Sequence, residues 1–240
     1  MQHVSQSPIS SVSSVSPWLN SDARNPIRLG NSISCSIDRK IPINAHLYLE
    51  GELQSHIFLV TSGIIGTYKL LADGRRQICR FAYPGDILGV DCAKRHLNNA
   101  EALSDSVVRS IPVSAIDKLI DSEPGFGQTL LHITAMELAG TREQLLSLGR
   151  KSASEKLATF LLSIARRSAL PGNSEVLFDL PMKRCDIADY LGLTVETVSR
   201  NFTRLKVAGV IELLSSHQIK IGDIELLKAL ADGDDFLRLH

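Results

Sequence analysis

The segment 180–206, LPMKRCDIADYLGLTVETVSRNFTRLK, admits few folded forms. Ile187, Ala188 and Leu191 give a first short helix one apolar side. Gly192 follows, and glycine takes the left-handed backbone of a tight turn at little cost. Leu193 anchors the turn, and Thr194 is placed to cap a second helix. That helix divides into two faces. Val198, Phe202 and Leu205 recur at i, i+4 and i+7 and read as a buried stripe. Glu196, Ser199, Arg200 and Thr203 recur at i, i+3, i+4 and i+7 and read as an exposed polar stripe. The spacing predicts helix, turn, helix.

A carboxylate, a hydroxyl and a guanidinium on one exposed helix face suit the base edges of a DNA major groove. Arginine bonds guanine O6 and N7 together, glutamate accepts from cytosine N4, and serine reaches several bases. Residues 209–214 and 218–221 read as two short strands around Ser215-Ser216-His217, a wing beside the helices, and Asp223 is placed to cap a final short helix. The chain carries 26 Lys and Arg against 26 Asp and Glu, a formal charge of zero, which looks unfavourable for a partner bristling with phosphates. Placement matters more than the sum. Lys183, Arg184, Arg200, Arg204 and Lys206 crowd the predicted helix pair against Asp186, Asp189 and Glu196, while acidic residues Asp223, Glu225, Asp232, Asp234 and Asp235 gather at the end of the chain.

Upstream the period changes twice. From Ile33 to Pro112 short apolar runs alternate with turn residues, as in His46-Leu47-Tyr48-Leu49 before Gly51 and Ile57-Phe58-Leu59-Val60 before Ser62-Gly63. Asp73-Gly74 is a hairpin signal, and Pro84-Gly85-Asp86 marks another turn. The pattern predicts a small antiparallel β-barrel or jelly roll, and 44% apolar residues are enough for its core. From about Pro124 leucines recur at seven: Leu131, Leu138 and Leu145. One helix to Leu148 would run roughly 37 Å, with Gly149 ending it. Periodicity alone leaves that stripe open to core packing or to self-pairing. A further helix carries Leu157, Phe160, Leu161 and Ile164 on one face, and Pro171-Gly172-Asn173 closes it. The expected α+β organisation is thus a flexible N-terminal arm (1–32), a sensor-like β-barrel domain (33–122), a long helix (123–149) and a winged helix-turn-helix (150–240).

The run Asp186-Ile187-Ala188-Asp189-Tyr190-Leu191-Gly192-Leu193-Thr194-Val195-Glu196-Thr197-Val198-Ser199-Arg200 resembles the signature of the CRP/FNR family of transcription regulators, and its FNR/FixK-like branch in particular. The order of barrel, Pro-Gly-Asp turn, long helix and winged helix-turn-helix agrees over nearly the whole chain. The resemblance implies a homodimer paired through the long helix, which makes Leu131, Leu138 and Leu145 interface candidates. It implies base reading of a TTGA-type palindrome by Glu196, Ser199 and Arg200, with Lys183, Arg184, Thr194, Thr203 and Arg204 against the DNA backbone. RNA polymerase is the implied further partner, and activation the implied outcome. Enzymatic activity is not implied.

Cyclic-nucleotide-binding relatives resemble one another in a Gly-Glu-Leu for the ribose and an Arg-Ser or Arg-Thr for the phosphate. Here Gly89-Val90-Asp91 and Asn98-Asn99-Ala100-Glu101-Ala102-Leu103-Ser104 stand in that region, so cyclic AMP is not expected to act. Oxygen-sensing relatives resemble one another in an N-terminal cysteine cluster. The first 34 residues here contain no cysteine, and Cys35, Cys79, Cys92 and Cys185 are scattered, so neither an iron–sulfur cluster nor any other cofactor is expected. His46, His56 and His96 qualify as haem ligands by residue type only. Lys183 replaces the Ser or Thr that usually caps the first helix, at a cost of about 1 kcal/mol. Cys185 follows Lys183 and Arg184 at a helix start, a setting that favours thiolate, and is a candidate redox-sensitive thiol. No signal peptide or membrane span is evident, and a cytoplasmic protein without membrane contact is expected. A regulator sensing a metabolite in the barrel is the competing expectation.

Overall fold

Ile57, Phe58, Leu59 and Val60 form an unbroken apolar run in which both faces are buried, and this run organises the N-terminal half. The computed structural model describes residues 36–91, 94–123, 125–168 and 176–234; the N-terminal arm, Cys35, Cys92 and the Pro171-Gly172-Asn173 turn lie outside them. Eight strands build two four-stranded antiparallel sheets: β1 (Ile37–Ile41), β2 (His46–Tyr48), β3 (His56–Ser62), β4 (Ile65–Leu70), β5 (Arg76–Ala82), β6 (Ile87–Leu88), β7 (Asn99–Ala102) and β8 (Ser106–Pro112). One sheet has the order β1-β8-β3-β6 and the other β2-β7-β4-β5. Of the two forms expected, this is the jelly roll and not a closed barrel. Phe58 and Val60 point between the sheets with Tyr48, Ile65 and Val108. Ile57 and Leu59 point the other way, against Leu119 and Phe126 of the helices that follow. The β4–β5 hairpin turns where Asp73-Gly74 predicts. Gly74 adopts φ +82°, and Asp73 Oδ1 accepts the amide of Arg75 at 3.0 Å.

After α1 (Ile116–Ser122), the long helix α2 spans Phe126–Arg150. Gly149 lies inside it. A glycine in the last turn weakens a helix by only about 1 kcal/mol, and the chain leaves the helix at Lys151 because Ser152 starts the next one. The Ser152 hydroxyl accepts the amide of Glu155 at 3.4 Å and donates to its carboxylate at 2.8 Å. Of the described side chains on α2 only Phe126 and Ser147 are buried within the protomer.

The C-terminal part runs α3 (Ala153–Ser168), β9 (Val176–Asp179), α4 (Arg184–Leu191), α5 (Val195–Val207), β10 (Ile211–Leu213), β11 (Gln218–Ile221) and α6 (Ile224–Ala231). The predicted two-stranded wing has a third strand, β9, which pairs with β11. Leu157, Leu161, Ile187, Val198, Phe202 and Leu227 form its core. That core continues into the jelly roll through Ile78 and Phe81 of β5.

Candidate DNA-recognition surface

Helix α4 begins without a side-chain cap from Lys183, but Asp186 compensates in part. Its Oδ2 accepts the Lys183 amide at 2.9 Å, the reciprocal half of a capping box. Gly192 ends α4 at φ +63°, and the Leu193 amide closes on the Ala188 carbonyl at 3.0 Å. A β-carbon on Gly192 would lie 3.4 Å from Leu148 of α2, so the turn also sits close to the long helix. Thr194 caps α5, its hydroxyl accepting the Thr197 amide at 3.1 Å.

Val198, Phe202 and Leu205 are buried, which turns the opposite face of α5 outward. Glu196, Ser199, Arg200 and Thr203 are all exposed there, together with Arg204 and Lys206. Arg200 pairs with Glu196 one turn away. An exposed pair of this kind is worth under ~1 kcal/mol, so it preorients the guanidinium without locking it away from a base. Arg184 behaves differently from its neighbours. Its guanidinium stacks over the Phe202 ring at 3.4 Å, and burial lowers its pKa below the ordinary arginine value. It therefore joins α4 to α5. Cys185 is exposed, with Sγ 4.0 Å from Asp186 Oδ1. Asn201 was not singled out by sequence. It is buried, accepts from Ser154 Oγ at 2.7 Å and donates to the Thr197 carbonyl at 2.9 Å, tying α5 to α3. A polar residue on the stripe side of α5 next to Val198 and Phe202 is the only signal that could have marked it.

Leu131, Leu138 and Leu145 remain 72%, 52% and 70% exposed. The self-pairing alternative therefore has an open apolar seam, and the core-packing alternative is not realised within the protomer.

The jelly roll carries a paired cation that sequence reasoning missed. Arg80 of β5 bonds Glu137 of α2 at 2.8 Å and Asp86 at 3.4 Å, and donates to the Ile87 carbonyl at 3.3 Å. Arg167 of α3 reaches the same Asp86 at 3.3 Å. Nearby, Tyr48 and His96 stack with ring centres 3.7 Å apart, and burial holds the Tyr48 phenol well above its ordinary pKa. His46 bonds the Tyr68 hydroxyl at 2.9 Å, and His56 the Ser55 hydroxyl at 2.9 Å. Among the described residues no three His, Cys, Asp or Glu side chains stand together as a metal site, and no helix is long and apolar enough to cross a membrane.

Residues 38–123 match the family described as a cyclic nucleotide-binding domain, and residues 155–230 the Crp-like helix-turn-helix domain. The nitrogen fixation regulation protein FixK of Azorhizobium caulinodans is 38% identical over 188 residues, covering 78% of this chain and 76% of that protein. The protein of the same name from Bradyrhizobium diazoefficiens is 40% identical over 186 residues, covering 77% and 78%. The chain belongs to the CRP/FNR family, in its FixK-like branch. The structure of FixK2 from Bradyrhizobium japonicum, 36% identical, aligns with a TM-score of 0.76 over 83% of this chain and 99% of that one. This CRP/FNR member is accordingly a DNA-binding transcription regulator and not an enzyme. Its jelly roll, long helix and winged helix-turn-helix follow the family order.

Proposed function

We propose that this regulator works in the cytoplasm as a homodimer that reads a TTGA-type palindrome and activates transcription through RNA polymerase. The observation that carries the reading is the exposed stripe of Glu196, Ser199 and Arg200 on a helix whose other face is fixed by Val198, Phe202 and Leu205. Lys183, Arg184, Thr194, Thr203 and Arg204 flank that stripe and suit phosphate contacts. The uncovered leucines of α2 support pairing with a second copy, which a palindrome requires.

The regulator acts without cyclic AMP. Arg80, whose guanidinium bonds the Ile87 carbonyl, already spends its charge on Glu137 and Asp86, and a cyclic phosphate needs a free cation. It also acts without an iron–sulfur cluster, for its two described cysteines, Cys79 and Cys185, stand in different halves of the chain. Oxidation at Cys185 modulates DNA binding. Footprinting on operator DNA, followed by titration of Arg200→Ala, tests the core of the reading. Arg200→Ala should lose ~1–3 kcal/mol of affinity and relax the preference at one guanine. Full affinity and selectivity in that variant would remove Arg200 from base reading.

A further inference from the structure

Helix α4 is gripped from outside its own domain. Arg76, at the start of β5, spreads its guanidinium over three carboxylates: Nε to Asp189 Oδ2 at 2.8 Å, Nη1 to Glu101 Oε2 at 3.3 Å, and Nη2 to Asp186. Glu101 belongs to the jelly roll, whereas Asp186 and Asp189 belong to the first helix of the helix-turn-helix. The Arg76 guanidinium also lies 5.5 Å from the centre of the Tyr68 ring. Asp186 is 5% exposed, and Arg76 is the one cation its carboxylate pairs with among the described residues, beside the Lys183 amide and the weak Cys185 thiol contact. At the other end of α4 the last carbonyls, which no helix can satisfy internally, are taken by side chains of other elements. Gln77 of β5 donates to the Asp189 carbonyl at 2.6 Å, and Gln144 of the long helix α2 donates to the Tyr190 carbonyl at 2.9 Å.

Among the described residues, helix α5 has no comparable tie to the jelly roll. It rides on α4, through the core that Ile187 and Leu191 share with Val198 and Phe202 and through Arg184 on the Phe202 ring. Fixing α4 therefore fixes α5 relative to the jelly roll and α2.

We propose that Arg76 is a positioning residue for DNA recognition: it anchors α4, and through α4 the base-reading helix, to the jelly roll, and so sets the half-site spacing that the dimer accepts. The proposal rests on the reading of the protein as a dimer on a palindrome. A dimer must present its two recognition helices to successive major grooves about 34 Å apart. A tethered α4 holds that separation rigidly. An untethered one lets each winged domain swing to meet a mismatched site. The electrostatics act in the same direction, because Arg76 neutralises two carboxylates on the segment that approaches phosphates.

The test uses the full-length protein and two DNA duplexes, the operator and the same operator with one base pair inserted between its half-sites. The ratio of the two affinities is read for wild type, Arg76→Gln, Arg76→Lys and Asp189→Asn. This ratio reports only binding-competent molecules, so a partly unfolded preparation does not move it. Wild type should disfavour the inserted site by about tenfold or more, since one base pair shifts and rotates one half-site against the other. Arg76→Gln should bind the operator more weakly and discriminate by less than about threefold. Arg76→Lys should fall between, since an ammonium lacks the planar fork that reaches three carboxylates. Asp189→Asn, which leaves Asp186 paired, should narrow the ratio without unfolding the domain. Wild-type discrimination retained in Arg76→Gln, or in Arg76→Lys and Asp189→Asn should the glutamine variant not fold, overturns the positioning role and leaves the palindrome reading standing. Wild type that binds neither duplex, or both equally, overturns the palindrome reading and the positioning role with it.

Discussion

Leu138→Glu should convert the regulator to a folded monomer with little operator affinity. Leu131, Leu138 and Leu145 stand one heptad apart on α2, and each keeps half or more of its surface in water. Full burial of a leucine contributes ~1.5–3 kcal/mol. Covering the exposed half of Leu138 therefore contributes about 1 kcal/mol per protomer, or ~2 kcal/mol across a symmetric seam in which each copy supplies the same residue. The substitution removes that burial. It also brings two carboxylates together near the axis, where a 4 Å separation at an effective dielectric of 20 costs ~4 kcal/mol. The sum, ~6 kcal/mol, corresponds to a dimer dissociation constant raised by about four orders of magnitude. The protomer itself should be little affected, because position 138 lies largely in solvent within it. Sedimentation equilibrium at several concentrations measures the association constant, and far-ultraviolet circular dichroism checks that the helices persist. Operator affinity should fall with dimerisation, since a single recognition helix makes half of the contacts. An association constant equal to wild type would place the interface away from this stripe and refute the reasoning.

Isothermal calorimetry with cyclic AMP should give no heat of binding at micromolar concentrations, because Arg80 is held by Glu137 and Asp86; saturable micromolar binding would contradict this. Mild peroxide should weaken operator binding in wild type and not in Cys185→Ala, since an oxidised thiol beside Arg184 adds oxygens where phosphates approach; equal loss in both proteins would move the sensitive group elsewhere. All four tyrosines are held above the ordinary phenol pKa, with burial the largest cause in each, and Tyr190 is pushed up to about 12. A raised folded pKa stabilises the native state fully below the unfolded value of ~10 and loses that effect as pH rises towards the folded value. Native protein at about pH 10.5 should therefore show less tyrosinate absorbance than the same protein in denaturant, and equal absorbance would mean that Tyr190 is not packed between Phe81 and Phe160.

What could be read from sequence was whatever obeys a short period. Val198, Phe202 and Leu205 declare their buried face, and Gly192 its positive φ, because both properties are local. Strand β9 escaped notice because four residues beginning at Val176 carry little alternation, and its pairing with β11 is set by residues some forty positions on. The helix stop misplaced at Gly149 shows a weaker signal overridden by a stronger one: the Ser152–Glu155 cap fixes where α3 starts and lets α2 run on to Arg150. Arg76 is a harder case. Its partner Asp189 lies 113 positions away, and an arginine opening a hairpin strand looks like any solvated charge until the two domains are seen in contact.

That contact also accounts for how a chain of zero formal charge presents a surface fit for a polyanion. Three acidic residues lie within the helix-turn-helix, and none is left facing outward without a cation. Asp186 and Asp189 turn towards Arg76, a charge borrowed from the jelly roll, and Glu196 pairs with Arg200. The exposed Lys183, Arg204 and Lys206 then stand on a face whose carboxylates are already matched. The acids that balance the total are largely elsewhere, as at Asp38 beside Arg109 and Asp73 beside Arg75 in the jelly roll. Each of those acids is offset by the arginine it pairs with, so it adds little net charge to the field at α5. The charge that matters for phosphate contact is the local one at the helix pair, and Arg76 of the jelly roll contributes to it by neutralising Asp186 and Asp189 of α4.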